Sequence, residues 1–418
     1  METMQLKLNT DTGYISNSVP TNRILEIELK APESSGSHNA APLNLALVID
    51  RSGSMAGGKL EQAKAAVSQI LDMMRSKDSV SIVDYDSNVR LTTESGSVTD
   101  AARMSLKSAL FALQTGGTTN LGGGWLMGCE QVALRQAAGK VNRTLLLTDG
   151  LANEGITSPV ELARHASALF ERGVATSTFG IGEDFDEHLL EAMANRGGGN
   201  FYYIANTGMI PTLLMEEFRD LAAVTLMDVR IELTFPAGVA HELFGEWRAE
   251  SQGDKLVIFL SDLPASRTIN LFLRITTPAG NDKLVITARA TGLNEADQAV
   301  EVTNEVALVY APQETVNLAE QKKDAELVKR FASVAIGHLS DEALRLEKAG
   351  RREEAGKMMD RAMAEFGGDL PNPIKLRYDN RSMELRQGLD ESTRKNYNSE
   401  AYQFKRRRHA DQVNGTDD

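Results

Sequence analysis

Carboxylate and hydroxyl oxygens recur at short spacing in one stretch, Leu43 to Met55, which reads LNLALVIDRSGSM. Asp50 ends an apolar run. Ser52 and Ser54 follow at alternate positions, and Gly53 between them lets the backbone turn sharply. All three side chains offer hard oxygen donors, which suit Mg²⁺ or another hard divalent cation better than zinc. Two further stretches add donors of the same kind. TGGTTNLGGG, from Thr115 to Gly124, carries Thr118 and Thr119, and TLLLTDG, from Thr144 to Gly150, brings Asp149 to the end of a second apolar run. If the two runs are neighbouring strands, an Asp, two Ser, a Thr and a second Asp converge on one point.

The elements that must position these residues are legible around them. Leu43–Ile49 and Thr144–Leu147 are apolar without clean alternation, as strands buried on both faces of a parallel sheet are. Polar groups at the carboxyl ends of such strands sit where open α/β sheets bind ligands. Between residues 43 and 222 strand and helix patterns alternate, which predicts a doubly wound sheet. Helices are expected over Lys59–Arg75, Ala101–Leu113, Leu121–Ala138 and Pro159–Arg172, the last with Ser158 as cap and proline at its first position. Met209–Ala222 closes the unit.

The combination of D-x-S-x-S, the threonine loop and the second strand-end aspartate resembles the metal-ion-dependent adhesion site of von Willebrand factor A domains. The resemblance covers about 180 residues, from 43 to 222, and GIGEDFDEHLLEAMANRGGGNFYYI is similar to bacterial members. It implies a metal site of Asp50, Ser52, Ser54, Thr119 and Asp149, with the hydroxyls on the cation and the aspartates bound directly or through water. Thr119 is preferred to Thr118 because the family's threonine often precedes a polar residue, here Asn120. The cofactor implied is Mg²⁺, or else Mn²⁺ or Ca²⁺. A cation held mostly by neutral hydroxyls keeps positive character and an open position, so the resemblance implies a protein-binding adaptor or scaffold module that captures an Asp or Glu of a partner. Bacterial cytoplasmic A domains occur with AAA+ ATPases and in multi-component assemblies, which are the candidate partners. The competing class is a metal-dependent hydrolase or phosphotransferase using Asp50. Phosphotransferases of related topology tend to carry a second carboxylate two residues on, where this chain has Ser52, so no enzyme activity is expected.

On either side of residues 43–222 the pattern changes. MQLKL and ILEIEL before Leu43 alternate apolar and polar residues, as half-buried strands do, and Ala31–Ala41 reads as a linker. Short strands separated by Pro and Gly turns fill 223–312, predicting an antiparallel sandwich. The strands of 1–42 need a sheet, so the A domain is expected to be inserted in that sandwich, as in integrin β chains. Residues 313–418 read as helical. Ser340 or Asp341 is the expected cap of a helix running to Phe366 with a break at Gly350, a single tetratricopeptide-like hairpin.

Composition restricts the rest. Of 418 residues, 42% are apolar and 25% charged, typical of a globular protein. A net charge of −13 argues against a nucleic-acid or anionic-membrane binder. The basic run Lys405–Arg408 reads as a solvated terminal helix. No secretory signal or transmembrane run is visible, so a cytoplasmic protein of bacterial type is expected. Cys129 stands alone and reads as a buried apolar residue on a helix. In EDFDEHLL, Asp184 or Asp186 reads as a helix cap and not as part of a metal cluster with His188.

Overall fold

The computed structural model describes residues 3–34 and 40–406, with Arg406 described for its backbone only. Residues 35–39 of the expected linker, and Arg407 and Arg408 of the basic run, lie outside them.

Three strands open the chain: β1 (Gln5–Thr10), β2 (Tyr14–Ser16) and β3 (Thr21–Lys30). The α/β unit follows, with β4 (Leu43–Asp50), α1 (Lys59–Met73), β5 (Ser79–Tyr85), β6 (Val89–Ser97), α2 (Asp100–Phe111), α3 (Leu121–Leu134), β7 (Val141–Thr148), α4 (Pro159–Glu171), β8 (Ala175–Ile181), α5 (Glu187–Arg196), β9 (Gly198–Ile204) and α6 (Ile210–Ala222). Its sheet runs β6-β5-β4-β7-β8-β9, parallel throughout except for the antiparallel β5–β6 pair. Every residue of β4 is buried, which explains its unbroken apolar run. β4 sends its successor β5 to one side and pairs with β7 on the other, so the crevice between the ends of β4 and β7 is the topological switch point. Helix α3 lies close on the sheet because its glycines permit it. A Cβ on Gly124 would fall 2.4 Å from Tyr85 Cδ1, and one on Gly128 2.3 Å from Val48 Cγ2. Gly122, Gly123 and Gly124 therefore belong to this helix and not to the threonine loop before it.

Seven strands follow: β10 (Val224–Thr234), β11 (Ala240–Phe244), β12 (Arg248–Gln252), β13 (Lys255–Pro264), β14 (Thr268–Thr277), β15 (Lys283–Asn294) and β16 (Ala299–Ala311). They form two facing sheets with the opening strands, ordered β1-β3-β14-β11 and β12-β13-β10-β15-β16-β2. β3 pairs with β14 over its whole length, from Thr21↔Thr277 to Lys30↔Thr268. Leu25, Ile27 and Leu29 of β3 are fully buried in one core with Ile231, Leu233, Ile258 and Leu273. The α/β unit is thus inserted between strands of one sandwich. Its entry and exit meet: Ser266 N–H donates to Pro32 O at 3.0 Å, and Ala265 N–H to Ala223 O at 2.7 Å.

The chain ends in helices α7 (Gln313–Glu320), α8 (Ala325–Lys348), α9 (Arg352–Phe366), α10 (Asn372–Tyr378), α11 (Arg381–Gln387) and α12 (Glu391–Arg406). Two sequence expectations fail here. Helix α8 starts fifteen residues or more before the expected cap. Asp324 caps it, accepting from Leu327 N–H at 3.0 Å, while Ser340 and Asp341 are buried in its middle. The apolar face of ELVKRFASVAIGHL that continues the helix upstream packs on the sandwich, with the Phe331 ring 5.0 Å from Phe244 and 6.0 Å from Phe272. The helix break at Gly350, at a φ of 79°, is where the sequence places it. The second failure is Lys405. It is not solvated but has no exposed side-chain surface, because α12 lies against the α/β unit.

Candidate functional site

The site sits where β4 and β7 end. Asp50, the last residue of β4, is fully buried, and both of its oxygens accept hydrogen bonds. Oδ1 takes the Ser52 backbone N–H at 2.8 Å and Oδ2 the Thr148 hydroxyl at 2.6 Å. Burial pushes the Asp50 carboxyl up to about 6, against the hydrogen bonds from Ser52 and Thr148, with the nearby Asp149 adding to the rise. After Asp50 the chain turns through a single 3₁₀ turn, Gly53–Met55, which Met55 anchors in the core. The turn directs Ser52 and Ser54 to the same side, their hydroxyl oxygens 3.1 Å apart. Ser54 donates to Asp149 Oδ1 at 2.7 Å. Asp149 follows β7 directly and is itself fully buried.

The loop before α3 supplies the threonine. Thr119 is buried, and its backbone N–H is held by Asn153 Oδ1 at 2.9 Å. A point one Cβ from Gly150 is 3.2 Å from Thr119 Oγ1 and 3.8 Å from Ser54 Oγ, so Gly150 without a side chain lets these two hydroxyls face the same space. Thr118 points away. It is exposed, with its hydroxyl 2.9 Å from Ser87 Oγ and bonded to Glu154. Asn120 caps α3 by accepting from Gly123 N–H at 3.0 Å. The structure therefore brings Asp50, Ser52, Ser54, Thr119 and Asp149 together and leaves Thr118 outside.

Several neighbours escaped the sequence reading. Thr148 orients Asp50 from the residue beside Asp149 in TLLLTDG. Lys59, the first residue of α1, reaches Asp149 Oδ2 with its ammonium at 2.6 Å. Arg51 turns away from the site and pairs with Asp84 at 2.6 Å and Asp86 at 2.7 Å. The donor set is hydroxyl and carboxylate throughout, with two buried carboxylates converging, one of them at an energetic disadvantage when ionised alone. Those features fit a hard divalent cation. Ser54 and Gly150 open the cluster toward solvent.

The EDFDEHLL stretch behaves as a helix start. Asp186 caps α5, accepting from His188 and Leu189 N–H at 3.1 and 3.3 Å. Ligand atoms of His188, Glu191 and Asp341 do come within 4.8 Å of one another. The ammonium of Lys405 stands among those carboxylates, 2.6 Å from Glu191 and 3.2 Å from Asp341, and supplies the counter-charge. Cys129 is buried on α3, and burial pushes its thiol up to about 12. Among the described residues no helix is long and apolar enough to cross a membrane.

Comparison with known proteins agrees with this architecture. Residues 44–216 match the model of the von Willebrand factor type A domain. The chain is 32% identical over 203 residues to the uncharacterised protein YfbK of Escherichia coli, covering 47% of this chain and 35% of that one. It is 30% identical over 208 residues to the bovine inter-alpha-trypsin inhibitor heavy chain H1, covering 48% of this chain and 22% of the relative. The similarity thus spans roughly a third or less of these two relatives. In fold, it resembles the solved von Willebrand factor type A protein of Catenulispora acidiphila along nearly the whole length, with 96% of each chain covered and a TM-score of 0.73 at 16% identity. The α/β unit carrying Asp50, Ser52, Ser54, Thr119 and Asp149 is a von Willebrand factor type A domain.

Proposed function

We propose that this protein is a binding module whose A domain holds a Mg²⁺-type cation (Mg²⁺, or else Mn²⁺ or Ca²⁺) at Asp50, Ser52, Ser54, Thr119 and Asp149 and uses it to capture an acidic side chain of a partner protein. The carrying observation is the convergence of these five side chains from three separate stretches on the switch point of the sheet. Bound there, a hard cation supplies positive charge and a coordination position that a carboxylate oxygen can fill. The protein's part is positional. Thr148 and the Ser52 amide fix Asp50, Asn153 fixes the Thr119 loop, and Met55 anchors the serine turn. A domains commonly serve protein–protein interaction or adhesion, which is in keeping with this role. The partner is a protein presenting Asp or Glu, with an AAA+ ATPase or a multi-component assembly as the candidates. The setting is the bacterial cytoplasm, and neither nucleic acid nor membrane is expected as a partner.

The enzymatic alternative finds little support at Asp50. Both of its oxygens are engaged and the side chain is fully buried, so it lacks the access a nucleophile needs. We therefore read the protein as non-enzymatic. Retention of partners from a bacterial lysate on the full chain, with Mg²⁺ or with EDTA, tests the reading. Capture is expected to vanish in EDTA and in Asp50→Ala. Equal capture in EDTA would place the binding surface elsewhere, and turnover of generic phosphoesters with Mg²⁺ would revive the enzyme reading.

A further inference from the structure

Lys59 breaks a local rule. It is the first residue of α1, where the positive end of the helix dipole disfavours a cation. Gly58, which precedes it in the left-handed region at φ 98°, offers no side-chain cap. Such a conflict between local preference and sequence marks strained or functional positions. The compensation is specific: Lys59 Nζ lies 2.6 Å from Asp149 Oδ2, opposite the oxygen that Ser54 engages. Its stem passes beside Gly182, the residue after β8: a Cβ there would meet Nζ at 3.5 Å and Cε at 3.8 Å, ordinary contact distances. Only 21% of its side chain is exposed.

The charges around the site give this ammonium a meaning. Arg51 and Arg90 are matched by Asp84 and Asp86 and add little net charge. Asp50 and Asp149 against Lys59 leave one negative charge. A divalent cation turns that into one positive charge, and a carboxylate from outside then brings the site to neutrality. Without Lys59 the cation alone would neutralise the site, and an incoming carboxylate would leave a buried negative charge uncompensated. Like charges repel and opposite charges attract most strongly in such a poorly solvated crevice.

We propose that Lys59 is a fixed counter-cation that couples the two ligands of the site: it weakens binding of the divalent ion by itself and strengthens capture of an acidic side chain once the ion is bound. This rests on the cation-site reading above and adds to it a positioning residue and a sign. Lys59 withholds one oxygen of Asp149 and sets the net charge that an acidic partner meets. Because the coupling is a free energy shared by two ligands, it is reciprocal, and a carboxylate must in turn tighten the ion.

The test uses the full chain and two probes, Mn²⁺ followed by the electron paramagnetic resonance of the free ion, and acetate as the carboxylate. Lys59→Met keeps the apolar stem and removes the charge; Lys59→Arg keeps the charge. Lys59→Met is expected to bind Mn²⁺ more tightly by on the order of tenfold in the absence of acetate. Acetate is expected to tighten Mn²⁺ in the native chain by about threefold or more and to have little or the opposite effect in Lys59→Met. Lys59→Arg should follow the native chain. If Lys59→Met binds Mn²⁺ no more tightly than the native chain, or acetate acts equally on both, the coupling is wrong even though Asp50→Ala abolishes Mn²⁺ binding and the site stands. If Asp50→Ala keeps its Mn²⁺ affinity, the site reading and the coupling fall together.

Discussion

Helix α12 docks on the A domain through two buried lysines, and Lys395 offers a sharp test of what holds it there. Its side chain has no exposed surface, and its ammonium lies 2.9 Å from Glu187 Oε2 on α5, 2.5 Å from the Phe185 carbonyl and 3.9 Å from the Phe185 ring centroid. Burial by itself would raise the Glu187 carboxyl, but Lys395 outweighs it and, with His188, brings it from 4.5 down to about 2. At about 1.4 kcal/mol for each pH unit, that displacement corresponds to about 3 kcal/mol in favour of the charged, docked form. Lys348, 3.0 Å from Glu187, persists when Lys395 is removed, so Lys395→Met should weaken α12 docking by about 2–4 kcal/mol, near the cost of breaking other buried pairs. The sign with pH follows from the depressed carboxyl. The stabilisation is complete above about pH 4.5 and is lost as pH falls toward 2, so the native chain loosens in acid and the variant changes less. Hydrogen exchange of the α12 amides at pH 7, together with urea unfolding at pH 7 and pH 3, reads both quantities. A gap between native and variant of less than about 1 kcal/mol at pH 7 would falsify the assignment of docking to this pair. So would a gap that stays the same at pH 3, where it should shrink to about half.

Two other outcomes follow from the site and its support. Thr119→Ala should lower Mg²⁺ affinity by about tenfold or more, whereas Thr118→Ala should leave it within about twofold, since only Thr119 faces Ser54 and Gly150; isothermal titration of both variants measures the contrast. Gly128→Ala would press a Cβ into Val48 on the central strand and should cost about 1–3 kcal/mol, visible as a lower thermal midpoint, with no change if α3 can shift outward freely.

The sequence reveals most where a local pattern and its physical cause coincide. β4 and β7 are apolar without alternation because helices cover both faces of their sheet, and β1 and β3 alternate because one face meets the sandwich core. That β3 joins the later strands was legible for the same reason, since alternating strands without a sheet of their own need one elsewhere, but its pairing with β14 in particular was not. What stayed hidden depends on partners distant in sequence. Lys395 and Lys405 look like any surface lysines until Glu187 and Glu191, some 210 residues away, are placed beside them. The early start of α8 was obscured because its upstream face is covered by Phe244 and Phe272 of the sandwich. Thr148 and Lys59 carried faint signals, one as the neighbour of Asp149 and the other as a lysine at a helix start, and neither separates from chance without the fold.

The meeting of the A domain's two ends dictates an order of assembly. Roughly 190 residues lie between Pro32 and Thr225, whose hydroxyl reaches the Pro32 carbonyl at 3.4 Å. Closing an unfolded segment of that length carries an entropic penalty on the order of 4–5 kcal/mol before β3 gains any contact with β14. A folded A domain has already brought its ends together, so the same sandwich closes with most of that penalty removed. On a growing chain β3 emerges first and must wait for roughly 240 residues to follow before Thr268 appears, on the order of 10–50 s at common synthesis rates. During that interval the A domain can complete its own sheet, which is made from consecutive elements, and hold β3 beside the place where its partner strand will arrive. Mutations that slow A-domain folding should therefore surface as misassembled sandwich, far from the residues changed.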